Sequence, residues 1–250
     1  MSTSAERREE LTSVFREARG CTRCAQLAST RTQVVFGSGN ADADLMFVGE
    51  APGAKEDEQG IPFVGAAGKL LDELLAGVGL SRGDVFIANT LKCRPPGNRD
   101  PQPAEIDNCQ DYLMRQVELI QPRVICTLGN FSTKLLRGDP TGISKLHGQA
   151  EIRVVGARAV RLYPLFHPAA ALYTRSLLET LQADFARLPG LLELPAPEQP
   201  EREPEPELEA VVPELQSAPA APPALAHPST DAAPEPIGRV EPDDRQLGLF

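Results

Sequence analysis

Cys21-Thr22-Arg23-Cys24 sets two thiols at the spacing of a metal or redox pair, and Cys93 and Cys109 add two more from separate segments. A CxxC pair alone serves zinc, redox chemistry or neither. Four thiols that converge would instead form a closed tetrathiolate site, for zinc or for an iron–sulfur cluster. The gap from Cys93 to Cys109 is longer than the second half of a usual zinc knuckle, which leans toward a cluster. Cys126 lies in the apolar run Val124-Ile125-Cys126-Thr127-Leu128 and reads as a small core residue.

A second group could hold a flat heterocycle. Glu50, Asn89 and His167 each follow a short apolar run, and Phe63 lies just past the loop that Glu50 opens. An Asn amide presents a donor and an acceptor side by side, which matches the edge of a pyrimidine. A Phe ring gives a stacking face. A His can donate to an oxygen on which negative charge develops. Each residue taken singly has a plainer reading. His167 before Pro168 could cap a helix, Phe63 could be core, and Asn89 could be a turn residue. The functional reading rests on the four together.

The elements that would position them follow from hydrophobic period. Leu45 to Val48 is a short apolar run between Gly39-Asn40 and the Gly49/Pro52/Gly53 cluster, the pattern of a buried parallel strand. Val85 to Ala88 and Arg123 to Leu128 read the same way, and Glu151 to Val155 and Ala159 to Leu165 are two further strands. Helices are expected over Ala5 to Arg19, Ala66 to Val78, Pro103 to Ile120, Phe131 to Leu136 and Ala169 to Leu188. Lys92 to Pro101, with three prolines, is a loop. Strands alternating with helices imply an α/β fold, a three-layer α/β/α sandwich around a mostly parallel sheet. The carboxyl ends of parallel strands share one edge, where such folds bind ligands, so Glu50, Asn89 and His167 can converge there.

Composition divides the chain. Net charge is −10, but more than half of the 24 prolines and most of the acidic excess lie after Leu194, so the preceding part is close to neutral. The low overall pI therefore does not exclude a nucleic-acid partner. Residues 195–245 hold no aromatic residue and cannot bury enough surface to offset ordering, which reads as a disordered, acidic Pro/Glu/Ala-rich linker after a domain at 1–194. No apolar run approaches a membrane span and the first residues are charged, so a cytoplasmic protein without a membrane partner is expected. In a reducing compartment five cysteines point to metal or reactive thiols before disulfides.

Four motifs in order carry a resemblance. They are Gly49-Glu50-Ala51-Pro52-Gly53-x-x-Glu56-Asp57, Gly60-x-Pro62-Phe63-Val64-Gly65-x-x-Gly68-x-Leu70-Leu71, Asn89-x-x-Lys92-Cys93-Arg94-Pro95-Pro96-x-Asn98-Arg99 and His167-Pro168-Ala169-Ala170. Together, over Cys21 to Leu188, this sequence resembles the family 4, thermostable-type uracil-DNA glycosylases. The resemblance implies a 4Fe–4S cluster on Cys21, Cys24, Cys93 and Cys109. It also implies a uracil pocket from Gly49, Glu50, Ala51, Phe63, Asn89 and His167, on an enzyme that extrudes uracil from DNA and hydrolyses its glycosidic bond. One departure bears on mechanism. The best-known uracil glycosylases have an Asp where this chain has Ala51, so the water-positioning role falls to Glu50 first and to Asp57 or Glu56 second. A related branch links covalently to DNA through a histidine on an inserted loop after the Asn strand. That histidine is missing here, so turnover is expected. Leu172 and Tyr173 are the expected wedge into the duplex, and His147 reads as either a DNA-backbone contact or an ordinary loop residue.

The chain ends Gln246-Leu247-Gly248-Leu249-Phe250. This resembles the peptide with which bacterial proteins bind the replication sliding clamp, with Gln246, Leu247, Leu249 and Phe250 as the contacts. The linker would then tether a monomeric enzyme to replicating DNA. Two other readings stay beside the enzyme. One is a non-catalytic DNA-binding iron–sulfur protein on the same fold. The other, a nucleotide hydrolase, is disfavoured because the Gly-rich loop lacks the Lys-Ser/Thr of a phosphate-binding loop.

Overall fold

The computed structural model describes residues 2–201; most of the linker, and the peptide at 246–250, lie outside the described residues. In chain order the strands are β1 (Ser38–Gly39), β2 (Leu45–Gly49), β3 (Val85–Asn89), β4 (Val124–Leu128), β5 (Glu151–Val155) and β6 (Arg158–Leu165). The helices are α1 (Ser4–Arg19), α2 (Ala25–Thr30), α3 (Ala54–Gln59), α4 (Ala66–Gly77), α5 (Pro103–Ile120), α6 (Asn130–Arg137), α7 (Ile143–Leu146), α8 (Pro168–Ala171), α9 (Arg175–Phe185) and α10 (Leu188–Glu193).

The strands form one sheet in the order β1-β3-β2-β4-β6-β5. Its interior pairings are parallel, and the two edge pairings, β1 with β3 and β5 with β6, are antiparallel. The mostly parallel sheet is therefore as expected. Every residue of β2 is buried, and alternate side chains enter different cores. Met46 and Val48 join Leu11, Phe15, Leu113 and Val117 from α1 and α5. Leu45 and Phe47 join Leu71, Leu75, Leu181 and Phe185 from α4 and α9. Each face of the sheet thus carries its own core and helical layer, which makes the three-layer sandwich. Each fully buried Leu or Phe contributes roughly 1.5–3 kcal/mol to this arrangement. Cys126 is fully buried in the second core, a small apolar side chain as its strand predicts.

Helix α1 shows why its start is local. Thr3 accepts from the Glu6 N–H, and Glu6 returns a bond to the Thr3 N–H at 2.7 Å, a reciprocal cap. The buried stripe of α1 is Leu11, Val14, Phe15 and Ala18.

Two expectations are corrected. The helix read from Ala169 to Leu188 is broken: α8 ends at Ala171, Thr174 is extended, and α9 begins at Arg175. Thr174 is a cap-type residue that restarts a helix, which a continuous apolar period conceals. The linker also begins later than Pro195. Gln199 pairs its amide with both main-chain groups of Ala159, at 3.2 and 2.9 Å, and the Pro195 carbonyl accepts from Arg161. A single polar side chain here supplies the backbone pairing that Pro-rich composition does not advertise. Among the described residues no helix is long and apolar enough to cross a membrane.

Candidate active site

Gly49 and Asn89 are register partners at the carboxyl ends of β2 and β3. The chain leaving β3 stays bound to the chain leaving β2, through Thr90 N–H to the Gly49 carbonyl and Leu91 N–H to the Glu50 carbonyl, both 3.0 Å. His167 follows the end of β6 two strands away and caps α8. Phe63 enters from the segment between α3 and α4. Phe63, Asn89, His167 and Glu50, the residue after Gly49, line one cavity of about 230 Å³, together with Ala51, Glu56, Asn98 and Arg99. Glu50, Phe63, Asn89 and His167 are therefore brought together as their strand ends predicted.

Several contacts fix Phe63. Its φ is +54°, a left-handed backbone conformation that is uncommon for an aromatic residue. Arg82 holds this turn by donating to the Pro62 carbonyl at 3.0 Å and to the Phe63 carbonyl, and is itself paired with Asp72 at 2.6 Å. Glu56 accepts from the Val64 and Gly65 N–H groups at 2.9 and 2.8 Å. Gly68 leaves room for the Phe63 carbonyl, and a Cβ on Gly49 would stand 2.7 Å from Phe63 Cζ. The ring is buried and approaches the His167 imidazole at 5.6 Å between centroids, with planes inclined by 26°.

Asn89 is 2% exposed as a residue, and its side chain lines the cavity with no side-chain hydrogen bond to another described residue. An amide open to the cavity in that way keeps donor and acceptor capacity for a ligand. His167 accepts the Ala169 N–H on Nδ1 at 3.1 Å. The ring proton of the neutral form is therefore on Nε2. Burial pushes the imidazole down to about 4, against the opposing effect of Glu56, so at neutral pH the ring is an uncharged N–H donor. Its helix-capping role and its place in the cavity are one arrangement, since the cap fixes the tautomer. Glu50 is half-buried, and burial with the Asp100 carboxylate nearby raises it above the ordinary carboxylate range. That is the direction a general base requires.

Asp57 has to be corrected. It is buried and outside the cavity, where both carboxylate oxygens accept the Thr32 N–H at 3.0 and 3.1 Å. One residue along α3 turns a side chain by about 100°, so Glu56 faces the cavity while Asp57 faces the segment after α2. Glu56 is itself occupied by the Phe63 turn, which leaves Glu50 as the carboxylate free to act. Leu172 and Tyr173 lie in the break between α8 and α9, and Tyr173 is 91% exposed. His147 bonds Asp184 through Nδ1 at 2.9 Å and packs on Phe166 at 4.5 Å, beside rather than within the cavity. Sequence pattern assigns no role to Arg82 or to the Arg99–Glu105 pair at 2.6 Å, which steadies the loop after β3. The spacing of Arg99 and Glu105 across the start of α5 was the only local signal.

Cys21, Cys24 and Cys109 pack beside Cys93 on the edge of the first core. Cys93 is buried, and Cys21, Cys24 and Cys109 are partly so. N–H groups reach three of the sulfurs: Arg31 to Cys93 at 3.2 Å, the Lys92 main chain to Cys109 at 3.3 Å, and Asn108 to Cys24 at 3.6 Å. Burial pushes the Cys109 thiol up to about 11 in the absence of a bound cation. Among the described residues no three His, Cys, Asp or Glu side chains converge on the position of a single metal ion.

Residues 36–188 match the family described as the uracil DNA glycosylase superfamily. A type-4 uracil-DNA glycosylase of Archaeoglobus fulgidus is 46% identical over 184 residues, spanning 72% of this chain and 92% of that protein. One from Thermotoga maritima is 44% identical over 171 residues, spanning 68% and 87%. A type-5 enzyme of Pyrobaculum aerophilum is 32% identical over 182 residues, spanning 60% and 78%. The chain belongs to the uracil DNA glycosylase superfamily, in its type-4 branch.

Proposed function

We infer that this chain is a uracil-DNA glycosylase that takes an extruded uracil into the cavity and hydrolyses its N-glycosidic bond. The observation that carries the reading is the Asn89 amide, which lines one cavity with Phe63 and with His167, whose Nδ1 accepts the Ala169 N–H and so leaves Nε2 for a ligand. Extrusion costs a few kcal/mol of stacking and pairing. Phe63 stacks on the base and Asn89 reads its pairing edge. Cytosine presents a donor where uracil presents an acceptor, so a fixed amide would leave buried groups unpaired.

In the reaction the bond from sugar C1′ to uracil N1 breaks, and its electron pair leaves with the base. His167 Nε2–H stabilises the charge that gathers on the uracil oxygen. Glu50 stabilises the cationic sugar, orients water onto C1′ and accepts the water proton. The products are uracil and an abasic site. The test is a uracil-containing oligonucleotide followed by alkaline cleavage. Strand breaks and free uracil in stoichiometric amounts support the enzyme, whereas binding without release would leave a non-catalytic DNA-binding protein.

Cys21, Cys24, Cys93 and Cys109 fit a 4Fe–4S cluster. A cluster takes one thiolate at each corner and accepts N–H bonds to sulfur, as supplied here by Arg31, Lys92 and Asn108. When bound, the cluster supplies a cross-link between the start of the chain and the loop after β3. Brown colour with visible absorbance and iron near four per chain is the expected result, and one zinc per chain would replace the assignment. Leu172 and Tyr173 act as the wedge that fills the gap left by the base. Gln246, Leu247, Leu249 and Phe250 bind a bacterial sliding clamp.

A further inference from the structure

The Lys92 side chain has no part in the chemistry above, yet the residue is 1% exposed. An ammonium taken from water is costly, and an apolar side chain of similar volume usually stabilises a core as well or better. Its surroundings are therefore informative. Nζ donates to the Asn89 main-chain carbonyl at 2.9 Å and to Gln116 Oε1 at 2.6 Å, and lies 5.8 Å from the centre of the Phe36 ring. Gln116, fully buried on α5, is oriented by donating its own amide to the Phe36 carbonyl at 2.9 Å. The other end of the same residue faces the cysteines: the Lys92 N–H donates to Cys109 Sγ at 3.3 Å, and its carbonyl accepts the Val35 N–H at 2.8 Å.

We propose that Lys92 is a positioning residue that couples base reading to the cysteine site, its ammonium fixing the Asn89 main chain while its own N–H fixes Cys109. The proposal rests on the reading of Asn89 as the residue that recognises uracil. With the Asn89 carbonyl anchored from below, the amide above it stays in register with Phe63 without any bond to its own side chain. Whatever displaces Cys109 pulls on the same turn, so disturbance of the cysteine site reaches the pocket through three residues of chain.

The test is a double-mutant cycle on the full-length protein, using Lys92→Met, Asn89→Ala and their combination. Single-turnover rates on uracil-containing duplex are read together with the Kd for duplex carrying an abasic site, which has no base to recognise. Lys92→Met alone is expected to slow the rate about 10- to 100-fold, the worth of a hydrogen bond to a charged group, with the abasic-site Kd within about twofold. In the Asn89→Ala background the same substitution is expected to change the rate by less than about twofold, because its effect passes through Asn89. A purely structural role would multiply the two losses and weaken abasic-site binding, and that outcome overturns the proposal. Asn89→Ala with an undiminished rate overturns the reading of Asn89 itself, and the proposal with it. A large Asn89→Ala effect beside an inert Lys92→Met sinks the proposal alone. If Lys92→Met does not accumulate as folded protein, Gln116→Met decides. It removes one acceptor from Lys92 and is expected to give a smaller loss with the same non-additivity, and additive losses would refute the coupling. A second readout is bleaching of the visible absorbance by oxidant: without the ammonium anchor the turn no longer holds its residue-92 N–H on Cys109, so bleaching is expected to be at least about threefold faster in Lys92→Met. An unchanged rate removes the Cys109 half of the claim.

Discussion

Gly49→Ala tests whether the pocket walls are held as tightly as the mechanism needs. A Cβ at this position would lie 2.7 Å from Phe63 Cζ and 2.8 Å from Cε2, and it would also press on Asn89 Oδ1. Ordinary carbon contacts begin near 3.4 Å, so the ring must retreat by about 0.7 Å and the amide must move away with it. Displacement on the scale of 1 Å costs about 100-fold in a step that depends on alignment, and overpacking costs about 1–3 kcal/mol of stability. The single-turnover rate of Gly49→Ala should therefore fall about 100-fold, while binding to abasic-site DNA, which leaves the base pocket empty, changes little. Gly77→Ala is the control: apart from its chain neighbours and its own helix backbone no described atom lies within 4 Å of the new Cβ, so rate and stability should hold or the helix should gain slightly. A Gly49→Ala protein that is folded and within twofold of the wild-type rate would refute the claim that Phe63 and Asn89 are positioned by contact across Gly49.

The other predictions follow from the same geometry. Glu50→Gln should lower turnover by about 10²- to 10⁴-fold with DNA affinity nearly unchanged, and equal turnover would remove Glu50 from the mechanism. Asp57→Asn should cost about 1–3 kcal/mol of stability in a denaturant titration and leave the rate intact, because its carboxylate holds Thr32 rather than water. His167 is pushed down to about 4 in the folded state. Between its ordinary value of about 6.5 and 4 the unfolded chain binds the extra proton, so its contribution to stability is lost as pH falls through that window. Replacing it with Gln should flatten that part of the stability–pH curve, and an unchanged curve would show a solvated imidazole. Deleting 246–250 should abolish capture by a bacterial sliding clamp and leave cleavage of short DNA unaffected.

How much of this was legible beforehand depends on whether the signal was local. The buried runs at Leu45–Gly49, Val85–Asn89 and Val124–Leu128 could be placed because a parallel strand covered on both faces is apolar throughout. Once they were parallel, their carboxyl ends had to share an edge, which is why Glu50, Asn89 and His167 could be grouped without coordinates. The short helix α3 was missed because Ala54-Lys55-Glu56-Asp57-Glu58-Gln59 has no apolar period. With it went the difference between Glu56 and Asp57, adjacent carboxylates that point to different neighbours. The positive φ of Phe63 and the Arg82 brace could not be seen either, since they join residues 19 and 20 apart through main-chain carbonyls. Lys92 was legible only as the first residue of the loop to Pro101, and packing shows it fully enclosed.

The proposed chemistry needs one extruded pyrimidine held by Phe63, Asn89 and His167 at once. A crystal structure of the protein with free uracil measures this. The ring should stack on Phe63, with the Asn89 amide on its pairing edge and His167 Nε2 within hydrogen-bond distance of an oxygen. A uracil bound elsewhere, or held with the Asn89 amide still unpartnered, would contradict the account.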